Sequence, residues 1–336
     1  MINPASMGKD FHLAMECVFC HKGDDKKETK ESAHKGLVVR PSDNIKTCGL
    51  CHKKIGKNYA GSLHYTSLGQ REGVKHRFSA EELKIFDKKV FEQSCRSCHA
   101  SCGDCHVKSP PVAGISAGFL QGHKFVKKNE GKTCALCHGG RVYPEYTGEY
   151  GGTPDVHYQK GMMCADCHKN TEMHGNGKTY KSKQEVKERP QCLSCHKNRK
   201  YQVAHEIHKD KASCQACHSS GQYRQCYSCH TETGSSAKPD FILGLNPRDK
   251  KTLTTLRVVP TLKTTFNKAG IKMENFDKLP NYWNSPVHNI KKRTNRTRSC
   301  DSCHEAKEGF LKREMLIKDG SKANEGLIYN LKPINK

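Results

Sequence analysis

No stretch of the 336-residue chain approaches the roughly 18 consecutive apolar residues that a membrane-crossing helix needs. Hydrophobic residues make up 34% and aromatic residues 7%, with a single tryptophan; mean hydropathy is −0.82. A chain this poor in apolar side chains can bury little surface of its own, which excludes an ordinary packed interior running through all of it. Two alternatives are left: disorder, or an interior that is not made of protein. Spare cysteine is also lacking, and that absence decides between them.

All 20 cysteines fall in the pattern Cys-x-x-Cys-His. The pairs are Cys17/Cys20, Cys48/Cys51, Cys95/Cys98, Cys102/Cys105, Cys134/Cys137, Cys164/Cys167, Cys192/Cys195, Cys214/Cys217, Cys226/Cys229 and Cys300/Cys303, called motifs one to ten below. The histidines that follow are His21, His52, His99, His106, His138, His168, His196, His218, His230 and His304. This is the attachment signature of c-type haem. Positions i, i+3 and i+4 share one face of a helical turn. Two thiols can therefore form thioethers to one porphyrin while the imidazole reaches the iron as proximal ligand. Structural zinc also uses Cys-x-x-Cys pairs, but it does not require a histidine after each one. A disulfide framework would not impose one spacing ten times.

Ten histidines lie outside the motifs: His12, His34, His64, His76, His123, His157, His174, His205, His208 and His288. Ten haems and ten further imidazoles predict two axial histidines on every iron. The order along the chain fits: the two motif intervals without a free histidine each follow an interval that holds two, and none occurs after His304. Which histidine serves which haem is not readable, because a distal ligand can cross to a neighbouring haem or another subunit. The eight methionines are rivals at one site at most; a Met/His pair would raise the potential.

Lys and Arg exceed Asp and Glu by 24, which taken alone suggests nucleic acid or an anionic surface. Ten haems change the sum: their 20 propionates lower the excess of 24 to +4 with ferrous iron and +14 with ferric iron. With no binding motif or aromatic interleaving, neither nucleic acid nor a membrane span is expected. Attachment of haem c takes place outside the cytoplasm, so the chain is expected to be exported, extracellular or on the cell surface, alternatively periplasmic. Residues before Cys17 lack the apolar stretch of a signal peptide, so a signal is expected to precede this numbering.

Four segments are expected: 1–110 with motifs one to four, 111–235 with motifs five to nine, 236–304 as a motif-poor insert plus motif ten, and 305–336 as a tail that wraps the surface or docks another subunit. Ser79 to Phe91 predicts the best helix, with Ser79 and Glu82 spaced as a capping box and Leu83, Phe86 and Val90 as an apolar stripe. Thr252 to Phe266 predicts short strands. Pro110 to Gly122 and Gly139 to Pro154 read as loops. The insert is expected to present His288 to an iron, with Trp283 nearby.

The ten motifs, the stretch from Cys95 to His106 (CRSCHASCGDCH) and the run from Val156 to Cys164 resemble the multihaem c-type cytochromes of respiratory bacteria and archaea that export electrons. The resemblance covers residues 12–304 and specifies attachment more than partner. It implies a multihaem cytochrome c fold, a mostly irregular chain with short α-helices and few short strands wrapped around a continuous haem chain. It implies electron transfer without catalysis, to other redox proteins, other cytochromes or extracellular acceptors such as metal oxides. Some members polymerise into cytochrome filaments, which makes a homopolymer an expectation and His12 a candidate for ligand exchange between subunits. Two rival readings are a monomeric periplasmic shuttle and a multihaem reductase of nitrite, hydroxylamine or a sulfur oxyanion. A reductase needs an iron with an open position, and the variant motif Cys-x-x-Cys-Lys that marks it in many such families is missing here.

Overall fold

The computed structural model describes residues 10–108, 111–112, 115–116, 123–126, 131–149, 152–197, 203–219, 241–259, 261–305 and 309–330. The chain divides into two units. One comprises residues 1–69, 98–134 and 167–189; the other comprises 70–97, 135–166 and 190–336.

The first unit consists of short helices joined by irregular chain. Lys53–Tyr59 and Leu63–Thr66 are two of its helices outside the motifs; Ser62 caps the second by accepting from the Tyr65 amide at 3.2 Å. Two-residue strands β1 (Val107–Lys108) and β4 (Lys124–Phe125) pair antiparallel, as do β2 (Pro111–Val112) and β3 (Ile115–Ser116). Tyr59 is buried, and its hydroxyl donates to the Ala100 carbonyl at 2.6 Å, next to motif three.

The second unit holds a three-stranded antiparallel sheet, β5 (Ile242–Leu245), β6 (Leu253–Val258) and β7 (Tyr282–Asn284), in the order β5-β6-β7. The register sets Ile242 opposite Leu256 and Val258 opposite Tyr282. Directly opposed residues share a face, so these four side chains form one side of the sheet. They close a core with Leu311 and Leu327 from the C-terminal segment. Leu243 lies on the other face and packs with Ala216, Phe310, Leu253 and Cys303. That second cluster contains residues of motifs eight and ten, so the sheet is the platform on which both stand. The main chain adds to this: the Ser213 amide donates to the Leu253 carbonyl at 2.9 Å, and the Leu253 amide to the Lys211 carbonyl at 2.7 Å.

The capping box forms as its spacing predicts. The Ser79 hydroxyl accepts from the Glu82 amide and the Glu82 carboxylate from the Ser79 amide. The same carboxylate accepts from the Lys272 and Glu274 amides, at 2.8 and 3.1 Å. The helix is regular over Ala80–Phe86 and continues as a wider π turn over Asp87–Phe91. Phe86 of the helix stacks on Phe78, and Phe266 meets both edge-on, with centroids 4.7–5.8 Å apart. Buried Arg77 donates to the carbonyls of Phe276 and Pro280, both at 2.8 Å. The segment read as a loop from Gly139 to Pro154 contains a helix, Val142–Thr147. Its proline lies in the first turn, where no helical amide is lost, and Gly148 ends it at φ +79°.

The described chain is mostly irregular, with short helices and few short strands.

Candidate haem-attachment sites

Each described motif lies on or beside a helical turn. Cys17–His21, Cys102–His106, Gly131–His138, Cys164–Cys167, Cys192–Cys195, Cys214–His218 and Asp301–His304 are α-helical, and Cys95–Cys98 is a 3-10 turn. Motif two departs from the expected helical turn. Its helix, Ile45–Gly49, stops before the second cysteine, so Cys51 and His52 follow it. The Cys51 and His52 amides still donate back to the Cys48 carbonyl, at 3.3 and 3.0 Å, which keeps the turn without the helix. Cys105 stays inside the helix Cys102–His106, and Cys134 and Cys137 inside Gly131–His138. The motif residue Asp104 accepts from the Ser101 amide at 2.7 Å and from Arg40 at 2.8 Å, fixing the start of motif four.

Positions i, i+3 and i+4 of a helical turn share one face, which is what thioether attachment requires. None of the 18 cysteines among the described residues forms a disulfide, and no group of three or more metal-ligating side chains gathers among those residues. Cys51 and Cys137 are exposed and Cys105 half-buried, so protein alone does not enclose these three predicted attachment points. A thiol bonded to a porphyrin edge needs that open side, whereas a structural zinc thiolate would sit among three further ligands. Motif nine (Cys226, Cys229, His230) lies outside the described residues.

Six motif histidines face six histidines from outside the motifs. The pairs are His52 with His12 (centroids 6.0 Å apart), His21 with His123 (5.8 Å), His106 with His174 (5.9 Å), His196 with His157 (6.1 Å), His218 with His205 (6.1 Å) and His304 with His208 (6.1 Å). Two metal–imidazole bonds of about 2 Å, on opposite sides of one metal, put ring centres roughly 6 Å apart. The gap therefore fits one metal in the plane between each pair, and covalent haem fits the thiols beside it. The three pairs in the first unit have ring planes within 17–23° of parallel. Those in the second are turned by 39–68°.

The other ring nitrogen is occupied in eight histidines, leaving Nε2 for a metal. Nδ1 of His21, His106, His208 and His218 meets the carbonyls of Val38 (2.9 Å), Val126 (2.8 Å), Ala204 (2.8 Å) and Lys291 (3.1 Å). Nδ1 of His99 meets the Tyr65 carbonyl. Three others meet carboxylates: His12 on Asp10 (2.8 Å), His157 on Asp155 (2.9 Å) and His168 on Glu172 (2.8 Å). Ligation also needs neutral imidazole. Burial, with His21 beside it, pulls His123 below the usual histidine range; burial and His106 do the same to His174.

The remaining described histidines hold other positions. His34 ends the helix Lys30–Ala33, and His76 sits in the 3-10 turn Lys75–Arg77. The His64 carbonyl accepts from the Ala100 amide at 2.9 Å, beside motif three. The His288 amide donates to the Glu145 carboxylate at 3.0 Å, and burial pushes that carboxyl up to about 7 against the pull of Arg141. His138 ends the helix Gly131–His138.

Neighbouring motifs also approach each other. Cys48 lies beside Cys102, which brings motifs two and four together, and Cys20 lies near Cys48 and Cys51. Phe125 stacks on His12 with centroids 4.3 Å apart and meets His123 edge-on at 6.3 Å. Sequence reading missed Phe125 and the three carboxylates. A repeated signal was present for two of them: an acid two residues before the histidine, in Asp10-x-His12 and Asp155-x-His157.

A family model described as cytochrome c7 and related cytochrome c matches residues 152–219. The matched segment contains motifs six, seven and eight with His157, His174, His205 and His208. This chain carries a multihaem c-type cytochrome segment. The cofactor of such a segment is covalently bound haem c, held by its cysteine pairs, and its work is electron transfer. No curated protein and no solved structure matches the chain. Among the described residues no helix is long and apolar enough to cross a membrane.

Proposed function

We propose that the chain transfers electrons through ten covalently bound haems, each iron held between two histidines. The single observation that carries this reading is the set of six imidazole pairs 5.8–6.1 Å apart, each joining one motif histidine to one from outside. On count, the other four motif histidines (His99, His138, His168, His230) take their second ligands from His34, His64, His76 and His288. Bound haem supplies iron that cycles between ferric and ferrous. The paired histidines would hold each iron from two sides, and the motif turns would hold the porphyrins close to one another. Backbone carbonyls and carboxylates on Nδ1 fix eight of the rings and raise their donor strength. Two imidazoles give low potentials compared with a Met/His pair, which suits respiratory export.

The finer reading is export of electrons to extracellular acceptors such as metal oxides, or to partner cytochromes, by a subunit of a polymer. It rests on the motif resemblance. Three measurements on the natively produced protein test the whole. The intact mass is expected to exceed that of the polypeptide by ten haems. The oxidised spectrum is expected to be fully low-spin with no rapid CO binding after reduction; a high-spin haem that binds CO would move the protein to the reductase reading. Electron microscopy is expected to show fibres of regular repeat, and discrete particles would favour the shuttle.

A further inference from the structure

Motif ten begins 86 residues after motif eight (Cys300 against Cys214), yet the two share one platform. Ala216 and Cys303 pack on the same face of the β5-β6-β7 sheet. Their facing histidines come from one turn of chain: His205 lies in the helix Val203–Ile207, and His208 follows it. His205 faces His218 of motif eight, and His208 faces His304 of motif ten. Two imidazoles three residues apart on one helical turn are neighbours, so the two irons they face are neighbours too.

Between the two motifs stands the 3-10 turn Asn295–Thr297, packed against both motif helices. Thr294 anchors its start by donating to the Cys217 carbonyl at 2.6 Å. Arg296 sits in the turn. One terminal nitrogen donates to the Ser219 carbonyl and, at 3.3 Å, to the Ser219 hydroxyl. Its Nε is buried without a hydrogen-bond partner, and the side chain forms no ion pair among the described residues. Cys217 and Cys303 lie within electrostatic reach of the guanidinium. Guanidinium does not deprotonate in proteins, so the charge stays. A haem c bears its propionates on the edge opposite the thioethers. A cation between Cys217 and Cys303 is therefore not the propionate partner of either haem.

We propose that haems eight and ten form one side-by-side couple and that Arg296, lodged between their thioether edges, holds both at raised reduction potential. The proposal rests on the ten-haem reading above. Ferric porphyrin iron carries one positive charge more than ferrous. A fixed cation that is half-buried, with its Nε out of solvent, therefore disfavours the oxidised form of both haems. Such a couple would collect electrons arriving from lower-potential haems.

The test is a spectroelectrochemical titration of the holoprotein and of Arg296→Gln, Arg296→Met and Arg296→Lys. Arg293→Gln serves as control, since it removes the same charge from an exposed neighbour where solvent screens it. In Arg296→Gln or Arg296→Met about two tenths of the reduction amplitude should move to lower potential, while Arg296→Lys and Arg293→Gln keep the native curve. Ser219→Asp, which sets a carboxylate against the guanidinium, should move the same fraction the same way and serves if the Arg296 variants do not mature. An unchanged curve in a charge-removed variant that retains ten haems by mass would overturn the role of Arg296. So would an equal shift in Arg293→Gln. A native mass with fewer than ten haems would instead sink the reading on which the proposal stands.

Discussion

Residues 241–330 and the motif-bearing segments before them solve the problem of an interior differently. In 241–330 the chain builds its own: Leu243, Leu256, Ile271, Met273, Leu311 and Leu327 are each at most 1% exposed. In the earlier segments large apolar side chains stay outside protein contact, Phe11 at 73%, Leu136 at 77% and Val203 at 75%. Among the described residues, eleven of the twelve large exposed hydrophobics lie at or before Ile207. The difference follows motif density: nine motifs lie before residue 231, and one lies after it. Where Cys-x-x-Cys-His recurs every few turns, the described strands are only two residues long, and on the proposed reading bound porphyrin would supply the apolar mass. Where the motifs stop, a sheet forms.

Withholding haem should break the comparison hardest. In chain made without haem attachment, the segments before residue 220 should lose helical circular dichroism and be digested first, while the sheet of 241–259 and 282–284 resists longest. Uniform digestion would contradict two kinds of interior. A single core truncation should sharpen it: Leu256→Ala should cost about 2–5 kcal/mol by leaving a cavity in a packed site, measured by denaturant unfolding of 241–330. Leu136→Ala should stay within about 0.5 kcal/mol. Ser79→Ala, which removes the hydroxyl that accepts from the Glu82 amide, should cost about 1 kcal/mol. The smallest effect is electronic. Glu172→Gln weakens the acceptor on His168 Nδ1, so the potential of one haem should rise with stability nearly unchanged; no shift would mean that the 2.8 Å contact leaves the iron untouched.

Much of this was legible in the sequence, for local reasons. The motif spacing sets its helical turn, and the Ser79–Glu82 box needs only four residues. Strand β6 lies where Thr252 to Phe266 predicted strand but stops at Val258. The helix from Ser79 was predicted to Phe91, and its last turn widens instead. The helix at Val142–Thr147 was hidden by Gly and Pro, residues that here mark its end and its first turn. The histidine pairs were not legible. His12 precedes motif one yet faces His52 of motif two; His123 precedes motif five yet faces His21 of motif one; His174 precedes motif seven yet faces His106 of motif four. Of the six, only His205 faces the motif that follows it directly. Tertiary path decides which rings meet, and no local pattern encodes it. The rest of the site was missed because it lies in acceptors, such as the carbonyls of Val38, Val126 and Lys291, that any residue could supply.

A cryo-electron microscopy map of the natively produced protein, at a resolution that separates side chains, tests the central claim most directly. It should show a porphyrin iron midway between His21 and His123, His52 and His12, His106 and His174, His196 and His157, His218 and His205, and His304 and His208. Irons bound by other combinations of these twelve histidines, or rings meeting with no metal between them, would contradict the account.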